Sequence, residues 1–166
     1  MDMQSILTGK REAGERATDL LREDHRKIRE LAEQYLAAMD QQSPARGGLA
    51  EEICMQLELH GQVEQEIFYP AIGALDEGAV TAAIEDHLAM ERDIELIEQL
   101  GPDDARFDHI MGRIIETANQ HMSHEERALF AAVEKRLAHL LPELCKQIVR
   151  RKEQLAGSVE EMEGRS

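Results

Sequence analysis

The sequence predicts an all-α fold: an up-down-up-down antiparallel four-helix bundle with an extra C-terminal helix. Three observations predict it. Apolar residues recur at steps of three and four in four separate stretches, the period of a helix face turned toward a core. Each stripe carries one histidine near its middle: His25, His60, His87 and His121. Turn-forming residues lie midway between successive histidines, as antiparallel neighbours require if four imidazoles are to share one level. A chain of 166 residues, 42% hydrophobic and 32% charged, is long enough for one domain with a core. With aromatics at 3% and few β-branched runs, nothing in it argues for a sheet.

Residues 1–17 are rich in Gly, Lys, Arg and Glu without a stripe and read as a flexible arm. Residues 18–140 form the bundle. Its first helix carries Leu21, His25, Ile28, Ala32, Tyr35 and Met39, with Thr18 or Asp19 as its cap. The turn Asp40-Gln41-Gln42-Ser43-Pro44 follows, offering Ser43 as N-cap and Pro44 as first helical residue of the next helix. That second helix carries Ile53, Leu57, His60, Glu64, Ile67 and Ala71, and ends in a turn between Ile72 and Gly78. A third stripe runs Val80, Ile84, His87, Glu91, Ile94 and stops before Gly101-Pro102-Asp103-Asp104. The fourth runs Phe107, Met111, Ile114, Ala118, His121, Glu125, Leu129. Pro142 forbids a smooth continuation. Residues 141–166 then divide into an amphipathic helix to about Ala156, bearing Leu144, Ile148 and Leu155, and a disordered acidic tail. The helix is expected to pack on the bundle or, in a homodimer, on a second subunit. Its basic residues Lys146, Arg150, Arg151 and Lys152 read as a solvated charge run.

His60 with Glu64, and His121 with Glu125, stand four residues apart and so share a helix face. A carboxylate on a dry seam is costly unless something pairs with it. The spacing from His25 to His60 is 35 residues and from His87 to His121 is 34, so one helical hairpin is used twice. The second and fourth helices run the same way, which puts Glu64 and Glu125 roughly 6 Å to the same side of the histidine layer. A lone histidine on an apolar seam is more often a hydrogen-bonded core residue than a ligand. Four at one level with two carboxylates have no packing explanation, and a metal pair requires such a set. The expected ligands are His25, His60, Glu64, His87, His121 and Glu125. Glu91, four after His87 on a helix of opposite direction, falls on the other side of the layer and is a further candidate ligand or acceptor.

The remaining polar and aromatic residues have plainer readings. His109 and His139 belong to the flanks, while His124 reaches toward the mouth of the site as a proton carrier. Glu66 and Glu126 point outward as solvated charges. Tyr69 and Phe130, each nine residues after a paired histidine, close one end of the bundle as core aromatics. Cys54 and Cys145 form no pair motif and read as reduced, apolar-like thiols. The net charge of −15 repels phosphate backbones and anionic membrane surfaces, which argues against a nucleic-acid partner. No stretch approaches the ~20 apolar residues of a spanning helix, and Met1 to Asp19 lacks an apolar signal core. A cytoplasmic location is expected.

The order His25, His60-x-x-x-Glu64, His87, His121-x-x-x-Glu125 resembles the hemerythrin-like (HHE cation-binding) domain, over roughly residues 19–139. The tracts from Glu64 to Pro70 and from His121 to Phe130 are similar to its signatures. The resemblance implies two non-haem iron ions, Glu64 and Glu125 bridging them, the four histidines as terminal ligands, and an open position for oxygen, nitric oxide, peroxide or water. Oxygen-carrying members supply a fifth histidine where this chain has Glu91, and their last carboxylate follows its histidine by five residues instead of four. Fewer nitrogen ligands favour redox turnover or sensing over reversible carriage. Ferritin-like bundles use Glu-x-x-His and are dominated by carboxylates, whereas nitrogen dominates here. Zinc, manganese or cobalt suit the same donors. Three functions fit: a binder or sensor of oxygen or nitric oxide, a peroxidase or catalase-like enzyme removing hydrogen peroxide, and a zinc-stapled interaction module.

Overall fold

The computed structural model describes residues 15–163, with side chains to residue 158. Most of the expected arm lies outside the described residues. Helix α1 spans Ala17–Asp40; α2 comprises Arg46–Val63, a π turn Glu64–Phe68 and a last turn Tyr69–Ile72; α3 spans Glu77–Glu98. Helix α4 comprises Phe107–Glu125, a second π turn Glu126–Phe130 and Ala131–Arg136, and a 3₁₀ turn Ala138–Leu140 leads into α5, Leu141–Glu163. There is no strand among the described residues.

Cross-helix contacts give the chain directions. Along α1, Thr18 bonds Glu134 at 2.7 Å, Arg29 bonds Glu126 at 2.9 Å and Tyr35 donates to Asp108 at 2.6 Å. Numbers rise on α1 as they fall on α4, so the two are antiparallel. Arg113 to Asp93 at 3.1 Å and His121 to His87 at 3.0 Å set α4 antiparallel to α3 in the same way. The core is in two apolar clusters. One gathers Ile28, Tyr35, Ile53, Met90, Phe107, Met111 and Ile114; the other gathers Leu21, Val63, Phe68, Ile72, Phe130, Leu141 and Ile148. Between them lies a layer of buried polar residues: His25, His60, Glu64, His87, His121 and Glu125.

Several local expectations need correction. Helix α1 begins at Ala17 after Arg16, without a side-chain cap, because Thr18 is spent on Glu134 and Asp19 pairs with Arg16. Helix α2 begins at Arg46 instead of Pro44: Gln42 takes a left-handed φ of 49°, and Ser43 accepts from the Ala45 N–H as a turn residue. Beyond Glu64 the buried positions are Phe68, Tyr69 and Ile72, leaving Ile67 half-buried and Ala71 exposed. The π turn is the cause, since its extra residue shifts the helix phase by one position. Helix α5 continues past Ala156 to Glu163, so the acidic residues expected to be disordered are helical to that point, and 164–166 lie outside the described residues. Helix α5 packs on α1 and α2 of its own bundle.

Leu141, Leu144 and Ile148 bury the apolar face of α5 in the second cluster. Ile148→Ala is therefore expected to destabilise the whole bundle by about 2–5 kcal/mol, the usual cost of emptying a buried aliphatic site. Urea unfolding followed by helical circular dichroism checks it; an unchanged midpoint would mean that α5 is not part of the core.

Candidate metal centre

Helix geometry brings the six expected residues together. His60 and Glu64 project one turn apart from α2, as do His121 and Glu125 from α4, while His25 and His87 face them from α1 and α3. The Nε2 atoms meet in pairs, His25 with His60 at 3.0 Å and His87 with His121 at 3.0 Å. Glu64 lies between the pairs, Oε1 at 3.1 Å from His60 Nε2 and Oε2 at 3.2 Å from His87 Nε2. Glu125 Oε2 is 3.3 Å from His25 Nε2 and 3.4 Å from His121 Nε2. Both carboxylates are 0% exposed. Within this layer Glu64 Oε1 and Glu125 Oε2 have no hydrogen-bond partner among the described residues.

The outer nitrogens explain why the inner ones are available. His25 Nδ1 lies 2.8 Å from Glu126 and His60 Nδ1 lies 3.2 Å from Asp24. An ionised carboxylate can only accept, so each Nδ1 carries the hydrogen and each Nε2 is left with a lone pair. Two lone pairs facing one another at 3.0 Å repel unless a proton or a cation lies between them. In the metal-free protein a proton takes that place. Burial lowers the His60 pKa, but Glu64 and Asp24 outweigh it and push it up to about 10. Burial likewise opposes protonation of His121, and Glu64 and Glu125 outweigh it, raising its pKa. Burial works to raise the Glu64 pKa, yet His60, His121 and His87 hold it well below the usual carboxylate range.

A metal ion fits this arrangement. Two donors about 2.1 Å from one ion and at right angles stand ~3.0 Å apart. The donors group naturally into His25, His60, Glu64 and Glu125 on one side and Glu64, His87 and His121 on the other. Imidazole with carboxylate is a donor set that suits iron, zinc and manganese.

Other residues sit differently from expectation. Glu91 is exposed and turned away from the layer, where Gln65 Nε2 donates to it at 3.4 Å. Glu126 is not a solvated charge: it accepts from His25 and pairs with Arg29, and these contacts hold its pKa low against the effect of burial. Arg151 and Lys152 are not a free charge run either, for Arg151 bonds Glu66 at 2.7 Å and Lys152 pairs with Asp24. Tyr69 closes the layer as expected, but its hydroxyl also donates to Glu125 Oε1 at 2.5 Å and stands 3.1 Å from Glu64 Oε2. Burial, then the two carboxylates, raises its pKa far above that of a free phenol. Phe130 stacks on His25 with ring centroids 5.5 Å apart. His109, His124 and His139 are exposed, His124 beside Asp86 in a surface cleft. Cys54 and Cys145 are buried free thiols. No described helix is long and apolar enough to cross a membrane.

The sequence reading missed Asp24, Gln65, Asp86 and Glu126 as partners of the ligands. Signals were there: Glu-Asp-His occurs at 23–25 and again at 85–87, and Gln65 and Glu126 each directly follow a ligand carboxylate. The π turns also left a trace, since His60, Glu64, Phe68 and Ile72 are spaced by four throughout. At 3.6 residues per turn, three such steps drift by roughly 120°, which a wider turn absorbs.

The family model of the hemerythrin HHE cation binding domain matches residues 16–133. A DNA nickase of Nostoc sp. is 26% identical over 121 residues, which is 72% of this chain and 34% of that protein, so the chain spans about a third of that relative's length. The crystal structure of a hemerythrin HHE cation binding domain-containing protein from Mycobacterium kansasii shares the fold. It has a TM-score of 0.71 and 22% identity, covering 86% of this chain and 88% of that one.

The protonation pattern gives a pH dependence. The raised His60 contributes stability that is complete below its unfolded value near 6.5 and is lost as pH climbs through about 10. The depressed Glu64 contributes above its unfolded value near 4.5 and loses its contribution as pH falls below it. Metal-free protein should thus be most resistant to urea between these limits and weaken progressively from pH 6.5 to 10. Loading a divalent cation at pH 8 should release about one or more protons, read by calorimetry in buffers of different ionisation enthalpy. A flat stability profile with no proton release would contradict the proton-bridged layer.

Proposed function

Because the chain belongs to the hemerythrin HHE cation-binding domain family, we propose that its buried layer holds two iron ions and offers them to a small neutral ligand, oxygen or nitric oxide. One observation carries the reading: the Nε2 atoms of four imidazoles and two carboxylate oxygens without a hydrogen-bond partner among the described residues converge in one buried layer. His25, His60, His87 and His121 would be terminal ligands, and Glu64 and Glu125 would span the pair. The metals would supply electrons and Lewis acidity. The chain's residues do the rest. Asp24, Glu126 and Gln65 hold the rings in register, the two apolar clusters exclude water, and Tyr69 keeps a proton on Oη within reach of both carboxylates.

Tyr69 also favours a second reading, disproportionation of hydrogen peroxide into oxygen and water, since that reaction has to move protons between two peroxide molecules. A buried hydroxyl donating to a carboxylate is placed for it. Neither reading involves a nucleic-acid partner. At a net charge of −15 this chain repels phosphate, and the nickase in the Nostoc relative's name belongs to a protein of which the match covers only 34%.

Anaerobic protein loaded with ferrous iron and then exposed to oxygen should develop the near-ultraviolet charge-transfer absorption of an oxidised iron pair; a sample that stays colourless would refute the first reading. For the second, iron-loaded protein should evolve oxygen from peroxide faster than free iron, and Tyr69→Phe should slow it by about 10²-fold. If Glu64→Ala with Glu125→Ala leaves that rate intact, the activity is not at this site.

A further inference from the structure

The two halves of the layer resemble one another in sequence and differ in what surrounds them. On the first, His25 and His60 each give Nδ1–H to a carboxylate, and both carboxylates are held by cations: Glu126 by Arg29 at 2.9 Å, and Asp24 by Lys152. On the second, His87 Nδ1 meets only the neutral carboxamide of Gln65, at 3.0 Å. His121 Nδ1 is buried without a hydrogen-bond partner among the described residues, Asp86 stopping 3.6 Å away. The Glu64 oxygens divide the same way. Glu64 Oε1, at His60, has no hydrogen-bond partner among the described residues, whereas Glu64 Oε2, at His87, is engaged by the Tyr69 hydroxyl; Glu125 Oε2 stands between the pairs, 3.3 Å from His25 and 3.4 Å from His121. Access differs too. Helix α2 sets Gly61 against the His87 ring, where a Cβ would stand 3.4 Å from Nδ1. A cleft of about 490 Å³ opens there, lined by Gly61, Gln65, His87, Met90 and Glu91.

We infer that the halves are unequal metal sites: the His25/His60 half is the tight one that fills first, and the His87/His121 half is the weaker, exchangeable one. A carboxylate hydrogen-bonded to a ligand histidine makes the imidazole a stronger donor, and losing one such partner typically costs 10- to 100-fold in metal affinity. The first half has two of them, besides four donors that lie close together; the second has none engaged and a set of three. Three protein donors leave a coordination position free, and it is the half beside the cleft. Glu91, the residue that would have completed that half, is turned to solvent.

This inference rests on the two-metal reading, and cobalt(II) separates the two. Titration of the full chain, followed by calorimetry and visible absorption, should show two equivalents differing at least tenfold in affinity. A crystal given one equivalent should show cobalt anomalous density between His25 and His60. Gln65→Glu, which gives His87 the carboxylate it lacks, should tighten the second equivalent by about tenfold or more, and Glu126→Gln should weaken the first by as much. Two equivalents of equal affinity, density between His87 and His121 at one equivalent, or a second equivalent unmoved by Gln65→Glu would each overturn the ordering while leaving the two-metal reading standing. Binding of no cobalt in the layer would overturn both.

Discussion

Two pairs of imidazole Nε2 atoms, each held 3.0 Å apart in a buried layer, constrain the rest of the bundle. The His25/His60 pair, whose Nε2 lone pairs face one another, is tolerable only with positive charge between them, and positive charge in a buried layer needs anions close by. Glu64 and Glu125 supply them. The carboxylates in turn are tolerable only because the layer is cationic, for an isolated ionised carboxylate in an apolar interior is prohibitive. Neither set could be buried without the other. The apolar clusters above and below are then a requirement as well as a source of stability, since water admitted to the layer would screen the mutual attraction that justifies it.

The layer is built by near-duplication of one hairpin, and the duplication extends to the outer contacts. Asp24 precedes His25 and reaches His60 on the neighbouring helix; Asp86 precedes His87 and approaches His121. Gln65 follows Glu64 and meets His87; Glu126 follows Glu125 and meets His25. In both halves a π turn begins at or just after the carboxylate. That placement has a physical consequence. Widening the helix there lets two consecutive residues, a ligand and the partner of another ligand, both face the interior, which a regular helix turns about 100° apart.

The four helices and the six polar side chains of the inward-facing layer were legible because they depend on periodicity and on turn chemistry, both of which are local properties of a chain. His60 with Glu64 needs only a regular helix to share a face. The partners were not legible for the same reason. Glu126 looks solvated on any regular helix wheel, and only the π turn brings it to His25. Lys152 looks like one member of a basic run until α5 is laid against α1, a tertiary event that no local pattern encodes. Glu91 failed in the opposite direction. It counts as a stripe residue only at steps of four and three from His87; the buried face of α3 runs instead through Ala83, His87, Met90 and Ile94, so Met90 fills the core and Glu91 faces solvent. Tyr69 shows the limit of reading by analogy between the halves, because its counterpart Phe130 has no hydroxyl and only the ring position is shared.

One of the contacts that break the symmetry comes from outside the span that the family model matches. Helix α5 starts at Leu141, beyond residue 133, and packs against α1 and α2. There it sets Lys152 on Asp24, and despite the burial that would raise its pKa, Asp24 stays ionised through its contacts to His60 and Lys152. A buried anion with a fixed geometry is a strong acceptor for the His60 ring. On the opposite side Asp86 borders a surface cleft of about 550 Å³ beside Asn119, His124 and Arg127, and its carboxylate stays 41% exposed and 3.6 Å from His121. The same Glu-Asp-His tripeptide thus produces a tight outer contact under α5 and a slack one where the bundle face is open. The position of one additional helix adds to the difference that Gln65 and Glu126 already make between the two halves of the layer.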